Sequence, residues 1–415
     1  MKLLSIIIFS GIYLFEIRIA NAQTTVEEYV QLAVENNPGL KAKFNAYYES
    51  LERVSQVGEL PDPNIAFGAY ILPVETRVGS RILDFEITQS FPWFGTLAAE
   101  KDEAAQWAKV KFREFQVSKT TLLFDVKSLY YELHSINASI SIQNKYLQIF
   151  DQREKELVTR VEAAMAGLSD ILRIQMQQKE ALAELERLED HKITLSARMN
   201  ALLNRSTSVP VNSSSEIRAI EIGFENEILL DSILSNNSTI ELLKETKIAL
   251  ESQKEVARLA GQPSLKAGIS YGMIQRRTDM DVPNNGQNVL MPKVSLSIPL
   301  NRKKYTSMIK EVELRQNRVT LEMTDHQNTL TYSFKEVKNQ YRNATRRVKL
   351  YQELTIQANQ SLVILTTSYT TSLAGYDEIL DMQWLLLSYQ LELEKAKSNQ
   401  NIAVASIAKL MAKGI

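Results

Sequence analysis

The chain has 415 residues, with 48 lysines and arginines against 49 aspartates and glutamates, so its formal net charge is −1. This balance provides no global field that would favour nucleic acid or an anionic membrane surface. The sequence contains no cysteine, which excludes disulfides, thiolate metal sites, cysteine nucleophiles and a lipid-modified N-terminal cysteine.

The N-terminal segment predicts export. Lys2 precedes an apolar run from Leu3 to Phe15, and the small-residue motif "ANA" ends at residue 22. This order is typical of a secretory signal peptide over 1–22. A retained membrane anchor is the weaker alternative, because the apolar run is too short to span a bilayer.

Long stretches without helix-breaking residues predict long helices. No proline lies between residues 93 and 209 or after residue 299, and glycines are few there. Proline and glycine are the residues that interrupt helices. The predicted helices are 25–58, 96–165 and 170–203, followed by 224–260, 302–373 and 379–413. Seventy helical residues extend about 105 Å, which indicates a rod or tube wall rather than a globular domain.

The longest predicted helices also carry a coiled-coil pattern. Apolar residues in the first of them alternate at spacings of four and three, beginning Leu122, Val126, Leu129, Leu133. This spacing places them on one seam that packs against another helix. Their expected role is therefore packing and not cofactor binding.

Two pairs of predicted strands lie between these helices. In "RILDFEITQSF", Leu83, Phe85 and Ile87 alternate with polar residues, and "PKVSLSIPL" alternates in the same way. "PNIAFGAYIL" and "SLKAGISYGMI" alternate less cleanly. Segments of about ten residues with one apolar and one polar face match lipid-facing barrel strands. The alternative is a half-buried hairpin of a soluble protein.

One ten-residue phrase occurs twice, as "AGLSDILRIQ" at 166–175 and "AGYDEILDMQ" at 374–383, an offset of 208 residues. The motifs "NNPGL" and "NNSTI", at 36–40 and 236–240, are offset by 200. Matching motifs that recur in the same order and at a nearly constant offset predict that the chain consists of two copies of one unit.

The duplication predicts two structural repeats, 23–204 and 217–415. Each repeat should contain a helix, two strands, a long helix, a hairpin turn (near 166–169 in the first repeat) and a returning helix. A segment rich in serine and asparagine, 205–216, is the predicted linker.

Four strands per chain predict an assembly. Four strands cannot close into a barrel, and an open sheet edge in hydrocarbon leaves backbone groups unpaired at a cost of several kcal/mol each. The smallest single-chain barrels use eight strands. Chains that span a membrane in this way must therefore combine their strands, and a trimer supplies twelve.

The export signal, the duplicated layout and the hairpin phrases "RVEAAMAGLSDILRIQ" and "SYTTSLAGYDEILDMQ" together resemble the TolC outer-membrane efflux family. "ITQSFPWFGTLAAEKDEA" is similar to the branch that serves heavy-metal efflux. The resemblance implies a mainly α fold with a membrane β-barrel portion: duplicated coiled-coil hairpins and four strands per chain, forming a trimeric tunnel. It also implies an outer-membrane location, with the helical tunnel in the periplasm.

The hairpin turns are the predicted contacts with a periplasmic adaptor. Gly167 and Gly375 should permit tight turns, since positive φ costs a residue with a side chain. Leu168 and Tyr376 follow them directly. The Ile-Leu pair of each phrase should pack the returning helix against its partner.

A gate is predicted beside the turns. Glu378 and Asp381 are three residues apart and share a helix face, and threefold symmetry would make each a carboxylate ring that favours cations. In the family, acidic residues at these positions line the closed entrance. Residues at the positions of Tyr369 and Asp170 form links that hold it shut. Ala374 stands where a linking arginine is expected, which indicates a differently built latch.

Two alternatives stay open at this stage. The acidic residues could be surface residues favoured by the helix dipole, and the chain could be a periplasmic adaptor or coiled-coil scaffold without a pore. An enzyme is not expected, because the sequence has no nucleophile–base constellation. No cofactor and no metal site are predicted, since the three histidines lack ligand spacing. The expected partners are two further copies of the chain, an adaptor with its inner-membrane pump, and outer-membrane lipid, with no nucleic acid.

Overall fold

The computed structural model describes residues 25–213, 217–222, 226–370 and 375–412. The predicted signal peptide, part of the predicted linker and Ala374 lie outside these ranges. The helices are α1 (Val26–Asn36), α2 (Pro38–Val57), α3 (Thr96–Glu162), α4 (Leu168–Leu202), α5 (Asn226–Asn236), α6 (Ser238–Leu259), α7 (Arg302–Thr370) and α8 (Tyr376–Leu410), and the strands are β1 (Asn64–Thr76), β2 (Gly79–Phe91), β3 (Ser264–Gln275) and β4 (Val289–Ser297).

Helices α3 and α7 are the predicted rods. They contain 67 and 69 residues, which corresponds to about 100 Å each. The α3 seam is buried as its spacing predicted, at Leu122, Val126, Leu129 and Leu133. Helices α4 and α8, with 35 residues each, return along the rods over about half their length.

Each predicted first helix is interrupted, so the single helices expected over 25–58 and 224–260 are wrong. The first ends at Asn36 and resumes at Pro38, and Asn37 between them has extended backbone angles (φ −61°, ψ 120°). Because proline has no N–H to donate, it favours the first position of a new helix. The second helix is interrupted in the same way at Asn237.

The two interrupting asparagines hold distant helix ends together. Oδ1 of Asn37 accepts a hydrogen bond from the N–H of Leu40 (2.9 Å), and its Nδ2 donates to the carbonyl of Leu202 at the end of α4 (3.0 Å). The Asn237 amide likewise caps α6 and donates to the carbonyl of Leu410 at the end of α8 (3.0 Å). Each amide therefore satisfies backbone groups at two helix ends that have no partner within their own helix.

The four strands form one antiparallel sheet in the order β1-β2-β3-β4. One face is apolar, with cross-strand rows such as Phe67–Phe85–Tyr271–Leu290. The other face carries a Glu86–Lys293 ion pair (2.6 Å) and a Tyr70–Asp84 hydrogen bond (2.7 Å). Within the described chain β1 and β4 are edge strands, and each has one side without a strand partner.

The long helices form a layer in the order α4, α3, α8, α7, with α2 packed on α3 and α6 packed on both α3 and α7. Two apolar clusters form the core along this layer: α3 packs with α1 and α4 in one, and with α4, α7 and α8 in the other. Helix α4 packs on α3 and touches α8 only slightly, so the two outer helices of the layer are α4 and α7.

None of the described helices is both long enough and apolar enough to cross a membrane.

Candidate functional site at the hairpin ends

The turn between α3 and α4 is tight, but not in the predicted way. Ala164 has the left-handed backbone (φ 57°), and the N–H of Met165 returns to the carbonyl of Arg160 (2.8 Å). Gly167 and Gly375 are extended, with φ −90° and −80°. The expected positive φ at these glycines is therefore wrong, since an alanine makes the reversal in the first hairpin.

The two glycines instead occupy the N-cap positions of α4 and α8. The Asp170 carboxylate accepts a hydrogen bond from the N–H of Gly167 (3.1 Å). A Cβ on Gly375 would overlap the Asp377 carboxylate. Glycine thus leaves room for a carboxylate to fold back over the helix N-terminus, where the dipole favours negative charge.

Tyr369 lies in an aromatic contact within the chain, and its role in links that hold the entrance shut stays a prediction. Its ring centroid is 5.3 Å from that of Tyr376, and the Arg160 guanidinium lies 4.4 Å above it. The Tyr369 hydroxyl is buried without a hydrogen-bond partner among the described residues, while Asp170 caps its own helix. A Tyr369–Asp170 hydrogen bond is therefore not formed within one chain.

Tyr376 is buried between the two hairpins. It belongs to an apolar cluster with Leu157, Ile174, Ile379 and Leu380. Its hydroxyl has no hydrogen-bond partner among the described residues, and burial raises the pKa of that hydroxyl above its ordinary value. In this chain Tyr376 is a core residue, whereas Leu168, at the same place in the other phrase, is exposed.

The two predicted gate carboxylates have different surroundings. Asp381 accepts a hydrogen bond from Nη2 of Arg173 at 2.8 Å, which joins α8 to α4. Glu378 is exposed and forms no ion pair with any described residue. Both partners of the Arg173–Asp381 pair are largely exposed, so the pair is a surface ion pair of modest strength.

Arg173 is a site residue that the sequence pattern did not single out. It occupies the same place in the first phrase as Asp381 does in the second. Opposite charges at matching places of a repeated phrase are a signal that could have indicated the pair. What the sequence does not show is that α4 and α8 approach each other at these positions.

The described residues contain no group of three or more His, Asp or Glu side chains that could hold a metal ion. The functional groups available at the hairpin ends are therefore charged side chains, aromatic rings and exposed apolar side chains. Such a surface can attract or repel ions and contact a protein.

Known structures share this fold, although no protein-family model and no curated protein matches the sequence. CusC, described in relation to transmembrane channel formation, gives a TM-score of 0.77 at 12% identity, over 95% of this chain and 93% of its own. The outer membrane protein VceC of Vibrio cholerae gives a TM-score of 0.74 at 16% identity, over 94% of this chain and 96% of its own. The open-state MtrE outer membrane channel of Neisseria gonorrhoeae gives a TM-score of 0.73 at 14% identity, over 94% of this chain and 89% of its own.

At these identities the likeness shows the fold. The resemblance to the TolC family is confirmed at that level, and so is the predicted combination of long helical hairpins with a four-stranded sheet. The heavy-metal branch stays a prediction, because the scores for CusC, VceC and MtrE differ little.

Proposed function

We propose that this chain is one subunit of a homotrimeric outer-membrane exit duct that conducts substrates passively from the periplasm to the outside. The observation that carries the proposal is the sheet, which has one apolar face and one charged face and continues into helices of about 100 Å. An apolar outer face suits lipid and a polar inner face suits a water-filled lumen. The fold shared with outer membrane channels supports the same function.

The edges of the chain support a trimer. β1 and β4 each leave one side unpaired, which a membrane does not tolerate. Pairing β4 of one subunit with β1 of the next would remove every edge, and three subunits would supply the predicted twelve strands.

The outer helices of the layer support the same assembly. α4 exposes Leu172 and Ile193, and the half of α7 nearest the hairpin end exposes Ile356 and Val363. Packing α4 of one subunit against α7 of the next would cover these side chains and close the helices into a tube.

The hairpin ends are the proposed gate and adaptor contact. Around a threefold axis, Glu378 would form a ring of three carboxylates without partners in their own chains, which favours cations. Arg173 compensates the charge of Asp381, and this ion pair would also restrain the hairpins relative to each other. Leu168, exposed beside Gly167, is the apolar residue offered to an adaptor that connects the duct to an inner-membrane pump.

The decisive experiment is mass determination of the detergent-extracted protein, with and without boiling, followed by conductance in planar bilayers. We expect a heat-sensitive trimer with cation-selective current. Glu378→Gln combined with Asp381→Asn should reduce that selectivity. Glu186→Gln, which changes an exposed carboxylate farther along α4, is the matched control and should leave the selectivity unchanged.

A water-soluble monomer without current would contradict the duct. It would favour the alternative of a periplasmic adaptor or scaffold without a pore. A trimer that conducts with unchanged selectivity in the double variant would retain the duct and remove the gate assignment.

A further inference from the structure

An apolar pocket lies where the sheet meets the first long helix. Its volume is about 660 Å³, within the range of ligand pockets, roughly 300–1,000 Å³. The lining side chains are almost all apolar and include Phe91, Trp93, Phe94, Leu97, Ala98, Leu265 and Leu296. The proposed gate lies at the opposite end of α3 and does not involve this pocket.

The pocket continues the apolar face of the sheet. Phe91 pairs with Leu265, and Leu265 pairs with Leu296, so the three form the cross-strand row at the helical end of the sheet. They lie on the same face as Phe85 and Tyr271, because side chains two apart share a face. If that face contacts lipid, the pocket lies at the periplasmic edge of the lipid layer.

The pocket should remain open in the trimer. Phe91 and Leu265 belong to β2 and β3, the two inner strands of the sheet. A neighbouring subunit would attach at β1 or β4 and would approach the pocket only beside Leu296.

Two aromatic side chains form the rim. Phe94 is 89% exposed in the isolated chain, and its ring centroid is 6.0 Å from that of Trp93. Aromatic side chains are enriched at the boundary between lipid and water. Such an exposed pair at the end of an apolar sheet face fits a position at the level of lipid headgroups.

Positive charge lies beside the pocket. Lys101 follows Leu97 by four residues and Ala98 by three, so it shares their helix face one turn farther on. Its stem packs against Gly58, where an added Cβ would lie 2.9 Å from the lysine Cδ. Its ammonium forms no ion pair with any described residue. The N-cap of α3, Gly95, offers no side-chain acceptor, so the positive end of the helix dipole is open on the same side.

We propose that this pocket binds an acyl chain of a phospholipid, with the lipid phosphate at Lys101 and the N-terminus of α3. The inference rests on the proposed function, since it requires the apolar face of the sheet to lie in lipid. An apolar pocket one helical turn from an exposed ammonium matches a molecule with an apolar tail and an anionic head.

The test is native mass spectrometry of the purified trimer in detergent, titrated with palmitoyl-oleoyl phosphatidylglycerol. We expect up to three tightly bound lipids per trimer. Ala98→Phe fills the pocket from an exposed helix position and should abolish this binding. Lys101→Gln should weaken it about fivefold, the effect of one lysine near a lipid headgroup. Lys109→Gln, an exposed lysine two turns farther along α3, is the matched control and should bind like the unmodified chain.

Equal binding in all variants would overturn the proposal. So would the absence of bound lipid together with a trimer that Ala98→Phe makes less heat-stable, because a neighbouring subunit would then occupy the pocket. A trimer that conducts but retains no lipid would overturn the lipid site alone. A water-soluble monomer would overturn the duct and the lipid site together.

Discussion

The two copies of the hairpin phrase have the same pattern but different surroundings. Leu168 is 65% exposed, while Tyr376 at the same place is 6% exposed; for Leu172 and Leu380 the values are 55% and 0%. In the first copy only Ile171 packs against the apolar cluster, so both members of the Ile-Leu pair pack as expected only in the second copy.

The difference follows from the position of each returning helix. α8 lies between α3 and α7 and is covered on both sides, whereas α4 packs on α3 and touches α8 only slightly. Apolar side chains on an outer helix of the layer can therefore remain exposed, because no helix of their own chain covers them. A repeated phrase thus specifies a turn and a helix, but the neighbours of that helix decide which side chains are buried.

The largest expected effect comes from the core of the second copy. Leu380→Ala removes a fully buried side chain and should lower the free energy of unfolding by about 2–5 kcal/mol. Denaturant unfolding followed by circular dichroism measures this value. Leu172→Ala is the matched control at the same place in the first copy. It should cost less, because Leu172 is 55% exposed in the single chain.

A second comparison uses two glutamates 208 residues apart. Glu394 on α8 contacts His134 (3.8 Å) and Lys397 (2.6 Å), whereas Glu186 on α4 is exposed. Burial alone would raise the pKa of the Glu394 carboxyl, but the nearby His134 imidazole and the hydrogen bond donated by Lys397 outweigh it and hold this pKa below its ordinary value of 4.5.

Ionised Glu394 therefore stabilises the fold above pH 4.5, and this contribution is lost as the pH falls through the lower folded pKa. Glu394→Gln should lower the unfolding free energy at neutral pH by roughly 1–3 kcal/mol and reduce its decline in acid. Denaturation midpoints across the acid range would show this. Glu186→Gln should keep the profile of the unmodified chain, and the same acid response in both variants would contradict the assignment.

The reversal of the first hairpin gives a third test. Ala164 has φ 57°, which costs a residue with a Cβ about 1–2 kcal/mol. Ala164→Gly should therefore raise the unfolding free energy by roughly 0.5–1 kcal/mol after the larger entropy loss of glycine is subtracted. Gly167→Ala should instead lower it by about 0.5–1 kcal/mol, because Gly167 is the N-cap of α4 and alanine is a poorer N-cap than glycine. A larger loss at Gly167 would instead support the positive φ expected from the sequence.

The smallest effect concerns the ion pair that joins the two copies. Arg173→Gln or Asp381→Asn should weaken the contact by about 0.2–1 kcal/mol, since both partners are exposed. In single-channel recordings this corresponds to a rise in the ratio of open to closed states of up to about fivefold. The exchange Arg173→Asp with Asp381→Arg should restore the ratio. If the exchange behaves like the single variants, the pair does not restrain the gate.

Much of the fold could be predicted from the sequence. The absence of proline and glycine and the heptad spacing in α3 determine the long helices, and the alternation around Phe85 determines the two-faced strands, because both signals are local. The interruptions at Asn37 and Asn237 could not be placed in this way. Each asparagine bonds to a helix end more than 160 residues away in sequence, and no local pattern shows such a partner.

The candidate site shows the same division. The sequence alone determined the position of both hairpin turns and the acidic character of the helices that follow them. Only the tertiary structure decided that Ala164 makes the reversal, that Asp170 caps its own helix and that Arg173 meets Asp381. Local periodicity specifies helices and strands, while burial, capping and ion pairing depend on which helices lie side by side.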